Sequence, residues 1–119
     1  MQKINMKKEV VKVLESVSSL ADFSTDYPSE MTEFPYAVYR TTATPFFVDS
    51  DRNEVQTRWH ILIEIYGIKS VSSVATSVYD GMRELGFKVA QRDSNTANIK
   101  RIVIECQGVI DNIQQQLYL

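Results

Sequence analysis

The segment Glu54-Val55-Gln56-Thr57-Arg58-Trp59-His60-Ile61-Leu62-Ile63-Glu64-Ile65-Tyr66 alternates without a break. Val55, Thr57, Trp59, Ile61, Ile63 and Ile65 lie on one side, and Gln56, Arg58, His60, Leu62, Glu64 and Tyr66 on the other. A period of two marks a half-buried antiparallel strand with one apolar face. At about 3.3 Å per residue it is roughly 40 Å long, well beyond an ordinary strand. Its expected partner is Tyr36 to Thr42, rich in Tyr, Val and Thr. Between them lies the insert Pro45-Phe46-Phe47-Val48-Asp49-Ser50-Asp51-Arg52-Asn53, read as a loop. The pair is expected to form a hairpin that projects from the body.

Two helices flank it. Met6, Val10, Val13, Leu14, Val17 and Leu20 make one stripe of a helix over 6–20, with Asn5 as its N-cap. Val71, Val74, Ala75, Val78, Met82 and Leu85 repeat the pattern, with Ser70 to cap the start and Gly86 to end it. Residues 21–35 read as an irregular connection that holds Asp22, Asp26, Glu30 and Glu33 and places Tyr27 and Phe34 before prolines. Two more strands follow, Phe87 to Arg92 and Lys100 to Val109, the latter with Ile102, Ile104 and Cys106 on one face. The tail from Gln114 to Leu119 either adds an edge strand or stays mobile.

The expected order is α-β-β-α-β-β. Two striped helices and a half-apolar sheet imply an α+β two-layer sandwich, with both helices on one face of a mostly antiparallel sheet. The strand order is not legible. The 119 residues fit a single domain, with 1–4 and 113–119 as its loosest ends. A chain of this size buries roughly 65% of its unfolded surface, enough for a core without staples.

Apolar residues make up 44% and charged residues 24%, the balance of a globular protein. The net charge of −2 argues against a nucleic-acid binder that works by bulk charge. Cys106 is the only cysteine, so no intrachain disulfide can form and a reducing compartment is expected. Met1 to Lys12 lacks a signal-peptide apolar run, and no stretch of about 18 apolar residues suits a membrane. A soluble, cytoplasmic protein is expected.

Chemistry-bearing motifs are sparse. Gly67, Gly81, Gly86 and Gly108 never cluster into a phosphate loop. His60 stands mid-strand without a nucleophile or orienting acid beside it in sequence. Cys106 alternates with Ile104 and reads as a small buried hydrophobe. Asp49-Ser50-Asp51-Arg52-Asn53 opens like a calcium loop, but Glu54 replaces the required glycine and His60 the bidentate glutamate. Lys88, Arg92, Lys100 and Arg101 gather without interleaved aromatics. No catalytic, cofactor or metal site is expected. Phe46-Phe47-Val48 stands out instead: in a polar loop it either folds back on the body or anchors a partner. The interface candidates are Phe46, Phe47, Val48, Asp49, Asp51, Arg52, Arg58, His60 and Tyr118.

Phe34-Pro35-Tyr36-Ala37-Val38-Tyr39-Arg40, after a lone N-terminal helix, resembles the "FP-x-(I/V)-V-Y" strand of tail terminator (tail-completion, head–tail joining) proteins of long-tailed phages and prophages. Trp59 to Tyr66 is similar to their "Y-x-I-x-I-W/Y" strand. Val78-Tyr79-Asp80-Gly81-Met82-Arg83-Glu84-Leu85-Gly86-Phe87 is similar to their second helix, followed by a hairpin that ends in Gly108-Val109-Ile110-Asp111. The resemblance spans residues 6 to 112 through the order of these motifs. It implies an α+β, non-enzymatic virion protein, assembled in the host cytoplasm and placed at the head–tail junction. Such proteins form a ring, typically a hexamer, that caps the tail tube and receives the head connector. DNA passes through without sequence-specific binding. On that reading the acidic turn at Asp49 and Asp51 faces tube, connector or lumen. The alternatives are a neck or adaptor component, a small ligand- or nucleic-acid-binding domain, and an enzyme using His60 with Glu64.

Overall fold

The computed structural model describes residues 4–30, 32–96, 98–113 and, for the backbone alone, 116–118. The elements in chain order are α1 (Met6–Ser16), β1 (Asp22–Ser24), β2 (Tyr36–Val48), β3 (Glu54–Gly67), α2 (Ser72–Glu84), β4 (Lys88–Asp93), β5 (Lys100–Asp111) and β6 (Gln116–Tyr118). The fold is α+β with a mixed sheet ordered β1-β2-β3-β5-β4, and β6 pairs with β5 beyond β4. Only the β1–β2 pair is parallel.

The alternating segment becomes β3, hydrogen-bonded to β2 on one edge and to β5 on the other along nearly its whole length. Its odd-numbered residues face the helices. Ile61, Ile63 and Ile65 have no exposed surface, and Trp59 is buried beside them. They share a core with Ala37 and Tyr39 of β2, and with Ile102, Ile104, Cys106 and Ile110 of β5. The helices close this face with Met6, Val10, Val13 and Leu14 of α1, and with Val74, Ala75, Val78 and Met82 of α2. Each Val, Leu, Ile or Met side chain so buried contributes about 1.5–3 kcal/mol relative to exposure.

The helix ends follow local chemistry. Asn5 accepts a hydrogen bond from Lys7 N at 3.0 Å and caps α1. The helix stops at Ser16, four residues short of the expected end. There Val17 turns to extended geometry, and Ser16 Oγ bonds back to Val13 O at 2.6 Å. Ser70 is not the cap of α2. Val71 holds that position and makes no side-chain cap. Gly86, at φ 102°, sends its N–H to Arg83 O while Phe87 N reaches Met82 O, a Schellman ending that needs the left-handed glycine.

Other sequence expectations need correction. The connection at 21–35 contains β1, which pairs in parallel with Tyr36 to Val38. The first hairpin strand runs to Val48, not Thr42, so Phe46, Phe47 and Val48 belong to a strand and not to a loop. β4 and β5 end at Asp93 and Asp111, beyond the expected Arg92 and Val109. The order therefore has a strand more than expected before α2, and β6 takes up 116–118 of the tail, whose residues 114, 115 and 119 lie outside the described residues. Each difference has one cause: backbone groups find partners across a sheet that local propensity cannot foresee.

The two helices meet at Gly81, where an added Cβ would lie 2.7 Å from Val13 Cγ1. Gly81→Val is expected to destabilise by about 1–3 kcal/mol through overpacking. Val13→Ala in the same chain should recover part of that loss, which urea denaturation of the single and double variants reads as a coupling.

Candidate functional site

The far half of β2 lies outside the core, although its partner strand stays buried out to Trp59 and Thr57. No residue of β2 beyond Tyr39 is buried, and Phe46, Phe47 and Val48 are about half exposed (50%, 54% and 49%). Beyond Val38 the outer edge of β2 carries no strand among the described residues. Pro45, which has no amide proton to donate, is tolerated because this is an edge.

A bulge then sets the geometry of the aromatic pair. Pro45 stands opposite Thr57 and Phe47 opposite Gln56, so Phe46 is the extra residue. Such an insertion bends the strand and re-aims side chains. The Phe46 ring lies under the Arg58 guanidinium, 4.7 Å from centroid to Cζ. Phe47 is placed by register in the row of Gln56, on the face that also carries Arg58. Phe46, Arg58, Lys88, Gln107 and Val109 surround an open hollow on this face.

The turn organises itself around Asp49. Its Oδ1 accepts from Asp51 N at 2.9 Å and Asn53 N at 2.8 Å, and its Oδ2 from Asn53 Nδ2 at 3.3 Å. These bonds, chiefly that from the Asn53 amide, hold the carboxyl below its ordinary range. Asp49 is thus a turn-builder, whereas Asp51 and Arg52 are exposed. Arg52 adopts φ 65°, the left-handed region that closes the turn.

His60 is exposed on the outer face near Lys88, Glu105 and Gln107. Glu64, its suggested acid partner, is occupied elsewhere. The Glu64 side chain is 2% exposed and accepts from Tyr27 Oη, Tyr66 Oη and the Arg101 guanidinium. Burial pushes its pKa up, but the two hydroxyls and Arg101 outweigh this and leave it below the ordinary 4.5. The same burial and the Glu64 charge push the Tyr66 hydroxyl well up. Cys106 has no exposed surface, and desolvation pushes its thiol up to about 12, so it is an inert core atom.

Tyr118 lies in β6 opposite Val109, which puts its backbone at the hairpin end of the sheet; its side chain is outside the described residues. Among the described residues no group of three or more His, Cys, Asp or Glu could hold a metal, and no helix is long and apolar enough to cross a membrane.

Two features escaped the sequence reading. Asn112, 4% exposed, accepts from Ile4 N at 3.2 Å, and its Nδ2 donates to Glu54 O and Thr57 Oγ1, both at 2.9 Å. It ties the base of the turn to the chain start and to the end of β5. Nothing marks such an asparagine in sequence. The second is Ile68, 67% exposed at the opposite end of the hairpin; it is an isolated apolar residue followed by a lysine, with no periodicity to flag it.

The chain matches no family model and no curated protein.

The buried Glu64 carries a prediction. Its folded pKa is depressed, so its stabilisation is present at neutral pH and is lost as pH falls below about 5 and through the folded value. Glu64→Gln should cost about 1.5–3 kcal/mol at pH 7, because Arg101 loses its charged acceptor. The variant should also lose less further stability than the parent on acidification. Urea melts at pH 7 and at pH 3.5 measure both effects.

Proposed function

We propose that this chain is a structural assembly protein of the tail-terminator kind, which closes into a homo-oligomeric ring, caps a phage tail tube and offers a docking face to the head connector. The observation that carries the reading is the outer half of β2. It buries no residue beyond Tyr39, yet it holds three half-exposed apolar residues, Phe46, Phe47 and Val48, along an edge that carries no strand among the described residues. Exposed strand edges and clustered apolar side chains are costly for a protein that stays alone, and both are ordinary at an interface. A shape of 52 × 27 × 22 Å suits a subunit that reaches its neighbour.

On this reading the mechanism is geometric. A subunit whose self-contact is heterologous can either propagate or close, and closure ends the open growth of the tube beneath it. The chain acts without a reaction centre, by presenting a finished ring. It belongs in the virion at the head–tail junction, having assembled in the bacterial cytoplasm, and DNA passes through it without being read. A neck or adaptor component of the same junction would use the same surfaces, and differs in the partner it caps.

Absolute mass by light scattering, over a concentration series, tests the reading. The expected species has about six times the 13.6 kDa of one chain, or moves toward that mass as concentration rises. A monomer at every concentration that also fails to bind the ends of tail tubes would overturn it.

A further inference from the structure

Two exposed apolar surfaces lie at opposite ends of the hairpin. One is the tip, with Phe46, Phe47 and Val48. The other is a groove where β2 begins and β3 ends, lined by Phe34, Pro35, Ile68 and Val71, with a volume of about 440 Å3. Ile68 is the most exposed large apolar side chain among those described. The ends are separated by the length of β3, roughly 40 Å at about 3.3 Å per residue. No fold-back within one chain can bring them together, because β3 is held straight between β2 and β5.

We infer that the aromatic tip of one copy seats in the Phe34–Ile68 groove of the next, a head-to-tail contact that rests on the ring reading above and assigns its surfaces. Volume and chemistry agree: the groove is mainly apolar, and its size lies within the range that encloses small apolar groups. The rims are complementary in charge. The tip exposes Asp51 and Arg52, and the groove is flanked by the exposed Lys69 and Glu33. Asp51 can meet Lys69 while Arg52 meets Glu33, an arrangement that sets orientation more than affinity. A contact between unlike surfaces of identical chains is heterologous, the kind a ring requires. It also turns the acidic turn toward a neighbouring subunit and away from the lumen.

The test uses two surface variants and their mixture. The tip variant is Phe46→Ser with Phe47→Ser, and the groove variant is Ile68→Glu. Circular dichroism should match the parent, and so should urea melts at concentrations where the parent is monomeric, because each replaced side chain is half exposed or more. Each variant alone should be monomeric where the parent assembles. An equimolar mixture should give a heterodimer of twice 13.6 kDa, since one intact tip meets one intact groove. If the parent assembles and the variants assemble equally well, or the mixture fails to pair, the surface assignment is overturned while the ring stands. Oxidative crosslinking of Val48→Cys with Ile68→Cys chains gives a second readout, with Cys106 buried and silent. A crosslinked pair from an otherwise monomeric parent supports the assignment and counts against a free ring. No crosslink and no assembly overturn both.

Discussion

Everything in this molecule is arranged around the need to pair and cover β3. Its backbone groups are satisfied on both edges, by β2 and by β5, and its Ile61, Ile63 and Ile65 are removed from water completely. A strand this long with one apolar face cannot exist alone, since unpaired amides and carbonyls in a dry interior cost about as much as lost hydrogen bonds. The striped helices supply the cover on one face. Their contact at Gly81 lets α1 and α2 approach closely, and together they shield the isoleucine row.

The other face is handled with polar chemistry. Tyr36 and Val38 are buried near Glu64, whose carboxylate would be costly to hide without partners. Tyr27, Tyr66 and Arg101 provide them, and the Arg40 guanidinium stacks 4.8 Å from the Tyr27 ring centroid. This network draws the 24–30 stretch onto the sheet and converts an acidic connection into part of the domain. Tyr36 Oη donating to Ser24 Oγ at 2.8 Å adds a second attachment. The network thus serves to position a loop, with any net gain in stability limited by the desolvation of its members.

Beyond this covered region the sheet changes character. β2 runs on as an exposed edge, and the bulge at Phe46 brings successive phenylalanines to the tip instead of burying alternate ones. Asn112 and Asp49 brace the structure beneath and within the turn, so the apolar tip is presented on a supported frame. Groove and tip lie at the two ends of the same strand pair. The pairing of β3 on both edges therefore fixes the spacing of both proposed contact surfaces.

Sequence alone determined the α+β class, the two helical stripes, the central strand and the glycine ending of α2, because these depend on periods of 2 and 3.6 and on backbone freedom at one residue. It also singled out Phe46, Phe47 and Val48 as unusual apolar residues in a polar setting. It misplaced them in a loop, because Pro45 and the adjoining acids mimic a turn where the chain is still paired to β3. The parallel β1, the strand order, the Glu64 network, the Asn112 tie and the groove at Ile68 were decided only in three dimensions. Each joins residues far apart in the chain, so its energy comes from proximity that no local pattern encodes.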